Sequence, residues 1–142
     1  MQLIIGGAFS GKRAVVKDRK RKCSWVSSYE GDLLIEWETK WKQNSILVLE
    51  GWEKWLADEL EQTNNLDQIR RKLKSLFQTI KDKEQEKASE VILIMLEVGR
   101  GIVPLEKRER SLRDLAGWVA QDAAEIADQV IYVWNGLSKR LK

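Results

Sequence analysis

Gln2-Leu3-Ile4-Ile5-Gly6-Gly7-Ala8-Phe9-Ser10-Gly11-Lys12 is the stretch on which the reading of this chain turns. A short apolar run enters a G-x-x-x-x-G-K pattern, which reads as a buried strand feeding a phosphate-binding loop. Glycines let the backbone bend tightly enough for successive N–H groups to converge on phosphate oxygens. The helix that follows turns its positive end toward the same anion, and Lys12 carries a mobile charge to the β- and γ-phosphates. Position 13 departs from the pattern: a Ser or Thr there places a hydroxyl on Mg²⁺, whereas Arg13 is a donor only. The expected site is therefore Gly6, Gly7, Ala8, Phe9, Ser10, Gly11, Lys12 and Arg13 around the phosphates of ATP or GTP, with one Mg²⁺ ligand lost. The plain alternative is a glycine turn joining an edge strand to a helix.

Outward from this loop, composition sets the frame. The chain has 142 residues, 43% of them hydrophobic, which fits one domain over residues 1–142 with a real core. Charge is dense at 33% but balanced, 25 basic against 22 acidic residues, so the net +3 does not argue for nucleic acid. Lys12, Arg13, Lys17, Arg19, Lys20, Arg21 and Lys22 do cluster. They read either as the solvated face of the first helix or as a field that attracts a polyanion such as a nucleoside triphosphate. A nucleic-acid patch is disfavoured because no aromatic residue is interleaved before Trp25. The single Cys23 excludes an internal disulfide and fits a reducing compartment. No apolar run is long enough for a bilayer, and the first apolar stretch is too short for a signal segment, so a soluble cytoplasmic protein without membrane contact is expected. With no histidine in the chain, His-based catalysis and His metal sites are excluded.

Strand and helix patterns alternate. Gln2–Ile5 is the first strand, and Lys12 to about Lys22 the first helix. Ser24–Ser28 is a second strand, and Glu30-Gly31-Asp32 a turn. The continuous apolar run Ser45–Glu50 suits a fully buried parallel strand. Trp52 to about Glu61 is helical, and Leu66 to Ile80 forms an amphipathic helix with a solvated charged tail, 81–87. Val91–Glu97 repeats the strand-then-acid pattern, and Gly99–Pro104 is a loop. A helix from about Glu109 to Ala127 and a last strand Val130–Trp134 complete the chain. Strands spaced by helices predict βαβ units and a mostly parallel sheet flanked by helices, an α/β fold.

Ligands on such sheets bind beyond the carboxyl ends of the strands, where the Gly6–Lys12 loop, Glu50 and Glu97 would converge. Glu50 is the stronger candidate for Mg²⁺ and catalysis, because its strand is the more uniformly apolar; the other reading is that both acids merely cap strands. Of the seven tryptophans, Trp118 and Trp134 are expected in packing. Trp37, Trp41, Trp52 and Trp55 fit either core packing or a stacking platform for a flat ligand.

The segment Glu97-Val98-Gly99-Arg100-Gly101-Ile102-Val103-Pro104, followed by Arg113-Asp114-Leu115-Ala116-Gly117 and Ala127-Asp128-Gln129-Val130, resembles the bifunctional adenosylcobinamide kinase/adenosylcobinamide-phosphate guanylyltransferase family of cobalamin biosynthesis. The loop Gly6–Lys12 and the strand Ser45–Glu50 are similar to that family too. The resemblance implies a P-loop NTPase-like, RecA-like fold, trimers, phosphorylation of a corrinoid's aminopropanol hydroxyl with ATP or GTP, and GMP transfer through a guanylylated histidine. It places Gly6–Lys12 on the phosphates and Glu50 by nucleotide and metal, and aligns Glu36 with a nucleotide-contacting glutamate. Two departures stand out. The nucleophilic histidine has no counterpart, and the segment that carries it is shortened to the neighbourhood of Tyr29–Leu34; the serine expected after Lys12 is Arg13. Two readings follow: a kinase that has lost guanylylation, or a degenerate P-loop relative that acts as a binding or regulatory module.

Overall fold

A computed structural model describes residues 1–98 and 105–142. Its sheet has six strands: β1 (Gln2–Gly6), β2 (Cys23–Ser27), β3 (Ile46–Glu50), β4 (Val91–Leu96), β5 (Gln129–Trp134) and β6 (Leu137–Arg140). They lie in the order β2-β3-β4-β1-β5-β6. All neighbours are parallel except β5 and β6, which form an antiparallel hairpin. The mostly parallel α/β sheet expected from the alternating pattern is borne out, and β6 is added at the edge.

Strand residues divide by parity. Leu3, Leu47, Leu49, Leu93 and Met95 face one side of the sheet, and Ile4, Ile46, Val48, Ile92 and Ile94 the other, as a two-residue period requires. Each such side chain, buried on either face, stabilises the fold by roughly 1.5–3 kcal/mol. The first face is covered by α3 (Trp52–Gln62), α4 (Leu66–Lys87) and α5 (Lys107–Ile126). Ile69, Leu73, Phe77 and Ile80 of α4 and Leu115, Val119 and Ala123 of α5 point inward at helical spacing. Arg70 clamps the two helices with a bidentate bond to the buried Asp122, at 2.8 and 2.9 Å. On the second face, α1 (Lys12–Lys17) contributes Val16.

Several expectations change. Helix α1 stops at Lys17 rather than near Lys22, since nothing apolar follows Val16 and Lys20 takes a left-handed backbone, φ 53°. The basic run is consequently not one helical face. Arg19 and Arg21 both bind Glu90, which directly precedes β4, at the opposite end of the strands from Glu50. The charged tail of α4 is not simply solvated either. Glu84 is buried, and its carboxylate accepts from Val91 N–H at 2.6 Å. The loop expected at Gly99–Pro104 falls on residues outside those described.

The tryptophans also sort differently. Trp37, Trp41, Trp52 and Trp55 are buried. Their rings pack on one another and on Phe77, as in the edge-on Trp52–Trp55 pair at 5.2 Å. Their position is that of core residues, not of a stacking platform. The indole N–H groups of Trp41, Trp52 and Trp55 donate to the carbonyls of Ser45, Leu49 and Asp32, as buried tryptophans require. Trp134, expected in the core, is 59% exposed because it ends β5 beside the edge strand. Trp118 is half-buried under Arg70. Among the described residues, no helix is long and apolar enough to cross a membrane.

Candidate functional site

The loop begins where β1 runs out between β4 and β5. Gly6 is obligatory there: a Cβ would stand 2.3 Å from the carbonyl oxygen of Val133. The chain then bends through Gly7, Ala8, Phe9 and Ser10 into α1. Phe9 adopts φ 56° and is fully exposed, an uncommon backbone for a residue with a side chain. Among the described residues, the N–H groups of Ala8, Phe9 and Gly11 make no hydrogen bond, while Ser10 closes a turn over Ala8 and Phe9. The Ser10 hydroxyl is buried without a partner among the described residues as well. A bend with free donors and an orphaned buried hydroxyl is what an anion completes.

Lys12 folds back over this bend. Its ammonium donates to the carbonyls of Gly6 at 3.0 Å and Gly7 at 2.5 Å. Burial lowers its pKa, while the carboxylates of Glu53, Glu50 and Glu97 pull the other way. A half-buried cation whose hydrogen-bond partners among the described residues are two carbonyl oxygens can exchange them for phosphate oxygens. Since α1 has only six residues, the anion-binding character rests on Lys12 and the loop N–H groups more than on a helix dipole.

The loop faces a cleft of ≈ 670 Å³ at the carboxyl ends of the strands. Ala8 through Arg13 form one wall, and Glu50 lies across it with Ile94 and Leu96. The sequence had brought Glu50 and the loop together, and the structure does the same. It adds two residues that sequence reasoning missed, Tyr29 and Glu53. The Tyr29 hydroxyl donates to Glu53 Oε1; burial, then this bond, raises the phenol's pKa. Glu53 Oε2 is buried and unpartnered among the described residues. A signal existed for each: Tyr29 follows the carboxyl end of β2, and Glu53 sits in the first turn of α3, three residues after Glu50.

Glu50 itself is not open to the cleft as a free ligand. It is 2% exposed and gripped by Arg13, whose Nε donates to Oε2 at 2.9 Å and whose Nη2 donates to Oε1. This bond raises the guanidinium's pKa. Mg²⁺ therefore does not fit the residues as they stand, because both oxygens of the expected ligand are taken and position 13 has no hydroxyl.

Glu97 sits just past β4, close enough for its charge to act on Lys12. Its N–H donates to Gly6 O at 2.8 Å, and its carboxylate accepts from the Tyr132 hydroxyl at 2.8 Å. Glu36 is not among the residues of the cleft. Its carboxylate caps its own 3₁₀ turn by accepting from Leu33 N–H at 3.1 Å and lies 3.7 Å from the Lys40 ammonium.

A family model described as cobinamide kinase / cobinamide phosphate guanyltransferase matches residues 13–141. The glycine bend precedes the matched region and stands on its own geometry. Over 54 residues the chain is 43% identical to the "Bifunctional adenosylcobalamin biosynthesis protein CobU" of Salmonella typhimurium strain LT2. It is 41% identical over the same length to the protein of that name from Escherichia coli K12. Each stretch covers 38% of this chain and only 30% of the relative.

Proposed function

The chain belongs to the cobinamide kinase / cobinamide phosphate guanyltransferase family, and from that premise we propose that it binds ATP or GTP in the loop cleft and phosphorylates a cobinamide-type corrinoid. The observation that carries this reading is that Lys12 and the Ala8, Phe9 and Gly11 N–H groups, without acceptors among the described residues, line one cleft, with the unpartnered Ser10 hydroxyl buried in the same bend. Phosphoryl transfer asks a protein chiefly for positioning and charge stabilisation. Here the loop holds the phosphates and Lys12 neutralises them. Phe9 and Tyr29 supply apolar surface at the mouth. Glu53 Oε2, buried and without a partner among the described residues, is assigned here to receive the acceptor's hydroxyl proton. Guanylyl transfer through a guanylylated histidine is absent in this proposal, because the chain contains no histidine.

A specific observation favours a second reading, a nucleotide-binding module without catalysis: Arg13 occupies Glu50, the acid expected to serve the metal. Incubation with adenosylcobinamide and labelled ATP or GTP separates the two. The kinase reading expects labelled corrinoid phosphate from the wild type and none from Lys12→Ala. Product from both removes Lys12 from the mechanism, and nucleotide binding without product supports the module. Labelled GTP should leave no acid-labile label on the protein.

A further inference from the structure

A carboxylate buried as deeply as Glu50, at 2% exposure, requires a counter-charge, because an unpaired ion is strongly disfavoured away from water. Two suppliers exist beside a phosphate loop. One is a divalent cation, steadied by a hydroxyl on the residue after the loop lysine; the other is a cationic side chain. In this chain the residue after Lys12 is Arg13, and its guanidinium meets Glu50 fork to fork through Nε and Nη2. The guanidinium is steadied from a second side by the Trp25 ring, 5.5 Å to the centroid. The same substitution thus removes the cation's hydroxyl ligand and fills the cation's electrostatic role. Among the described residues, no group of three or more acidic or cysteine side chains is gathered elsewhere as a replacement metal shell.

We infer that Arg13 has taken over the counter-charge role at Glu50, so that this chain binds its nucleotide with no divalent cation held by that carboxylate. Among the described residues, protein-side charge balance for the phosphates then falls to Lys12 and the loop N–H groups. The inference rests on the nucleotide reading for one of its two readouts, and the other is independent of it.

The independent readout is a Mn²⁺ titration of the nucleotide-free protein, followed by the spectrum of free Mn²⁺. Wild type and Glu50→Gln are expected to behave alike, with no Glu50-dependent site. A Mn²⁺ site present in the wild type and lost in Glu50→Gln overturns the inference. The second readout is calorimetry with ATP and with GTP, in Mg²⁺ and in EDTA. Wild-type affinity is expected to change by less than about threefold, while Arg13→Ser becomes dependent on Mg²⁺ by about tenfold or more. A wild type that loses about tenfold in EDTA, or an Arg13→Ser protein as indifferent to Mg²⁺ as the wild type, overturns it. If no variant binds nucleotide, the nucleotide reading fails by itself and the Mn²⁺ comparison still decides this one. That comparison also decides if Arg13→Ser does not fold.

Discussion

The N–H of Gly136 donates to the carbonyl of Ser10 at 2.8 Å, tying the tip of the β5–β6 hairpin to the bend of the phosphate loop. Asn135 and Gly136 both hold positive φ, 47° and 76°, which is the two-residue turn whose twist matches the strands it joins. A Cβ on Gly11 would approach the Gly136 Cα to 3.4 Å. The hairpin tip therefore braces the loop without lining the cleft.

Gly136→Ala should cost about 1 kcal/mol through its left-handed backbone. Because the turn braces Ser10, the variant should also weaken nucleotide binding more than an equally destabilising substitution remote from the loop. Thermal unfolding and calorimetry measure the two effects. Unchanged affinity would separate the hairpin from the site.

Gly6 and Gly7 should respond differently to the same added methyl group. At Gly6 the Cβ would lie 2.3 Å from the Val133 carbonyl, whereas at Gly7 nothing lies within 4 Å. Gly6→Ala is expected to cost about 3 kcal/mol or more as β1 and β5 are forced apart, and Gly7→Ala less than about 1 kcal/mol. Urea midpoints of the two variants test this, and equal losses would refute the close approach.

Binding of nucleotide should weaken with rising pH. Burial depresses the pKa of Lys12 in the free protein, and phosphate beside the ammonium would raise it again. The bound state then holds more protons than the free one over the interval between the two values. Affinity stays level below the depressed pKa and falls as pH climbs through it. Calorimetry from neutral to alkaline pH should show this slope in the wild type and a flatter one in Lys12→Met.

Asp32 anchors the segment between β2 and β3. Its carboxylate accepts from Ser27 N–H at 3.0 Å and from the Lys40 ammonium, and these bonds, Lys40 first, hold its pKa below the ordinary 3.8. The folded value lies under the unfolded one, so the stabilisation is complete above the unfolded value and is lost as pH falls through the folded one. Asp32→Asn should cost about 1 kcal/mol at neutral pH and nothing in acid below the folded pKa. A loss that persists unchanged in acid would point to packing instead.

Much of the frame was legible in the residues. Ile46–Leu49 and Val91–Leu96 are continuous apolar runs, and a strand buried on both faces needs that pattern. The inward residues of α4 and α5 announce themselves by spacing. Less legible was α1, where a run of like charges looked helical in composition but offers nothing to bury after Val16. The Asn135-Gly136 pair signals a hairpin, yet Leu137–Arg140 is exposed throughout and lacks the alternation that marks a strand. The tryptophans could not be sorted from sequence, because spacing alone does not tell a ring in the core from one at a surface.

What the chain's order of residues determined by itself was local: where strands and helices form, and that a glycine bend ending in Lys12 stands at a strand's carboxyl end. Those outcomes depend on backbone freedom and on the period of apolar residues, which are properties of short segments. Which charges meet was decided only in three dimensions. The sheet order sets Glu50 beside the loop, turns Arg13 onto it, brings Tyr29 to Glu53 and lays Gly136 against Ser10. Such partners are chosen by distance in the fold, and a buried carboxylate binds whichever cation packing delivers to it.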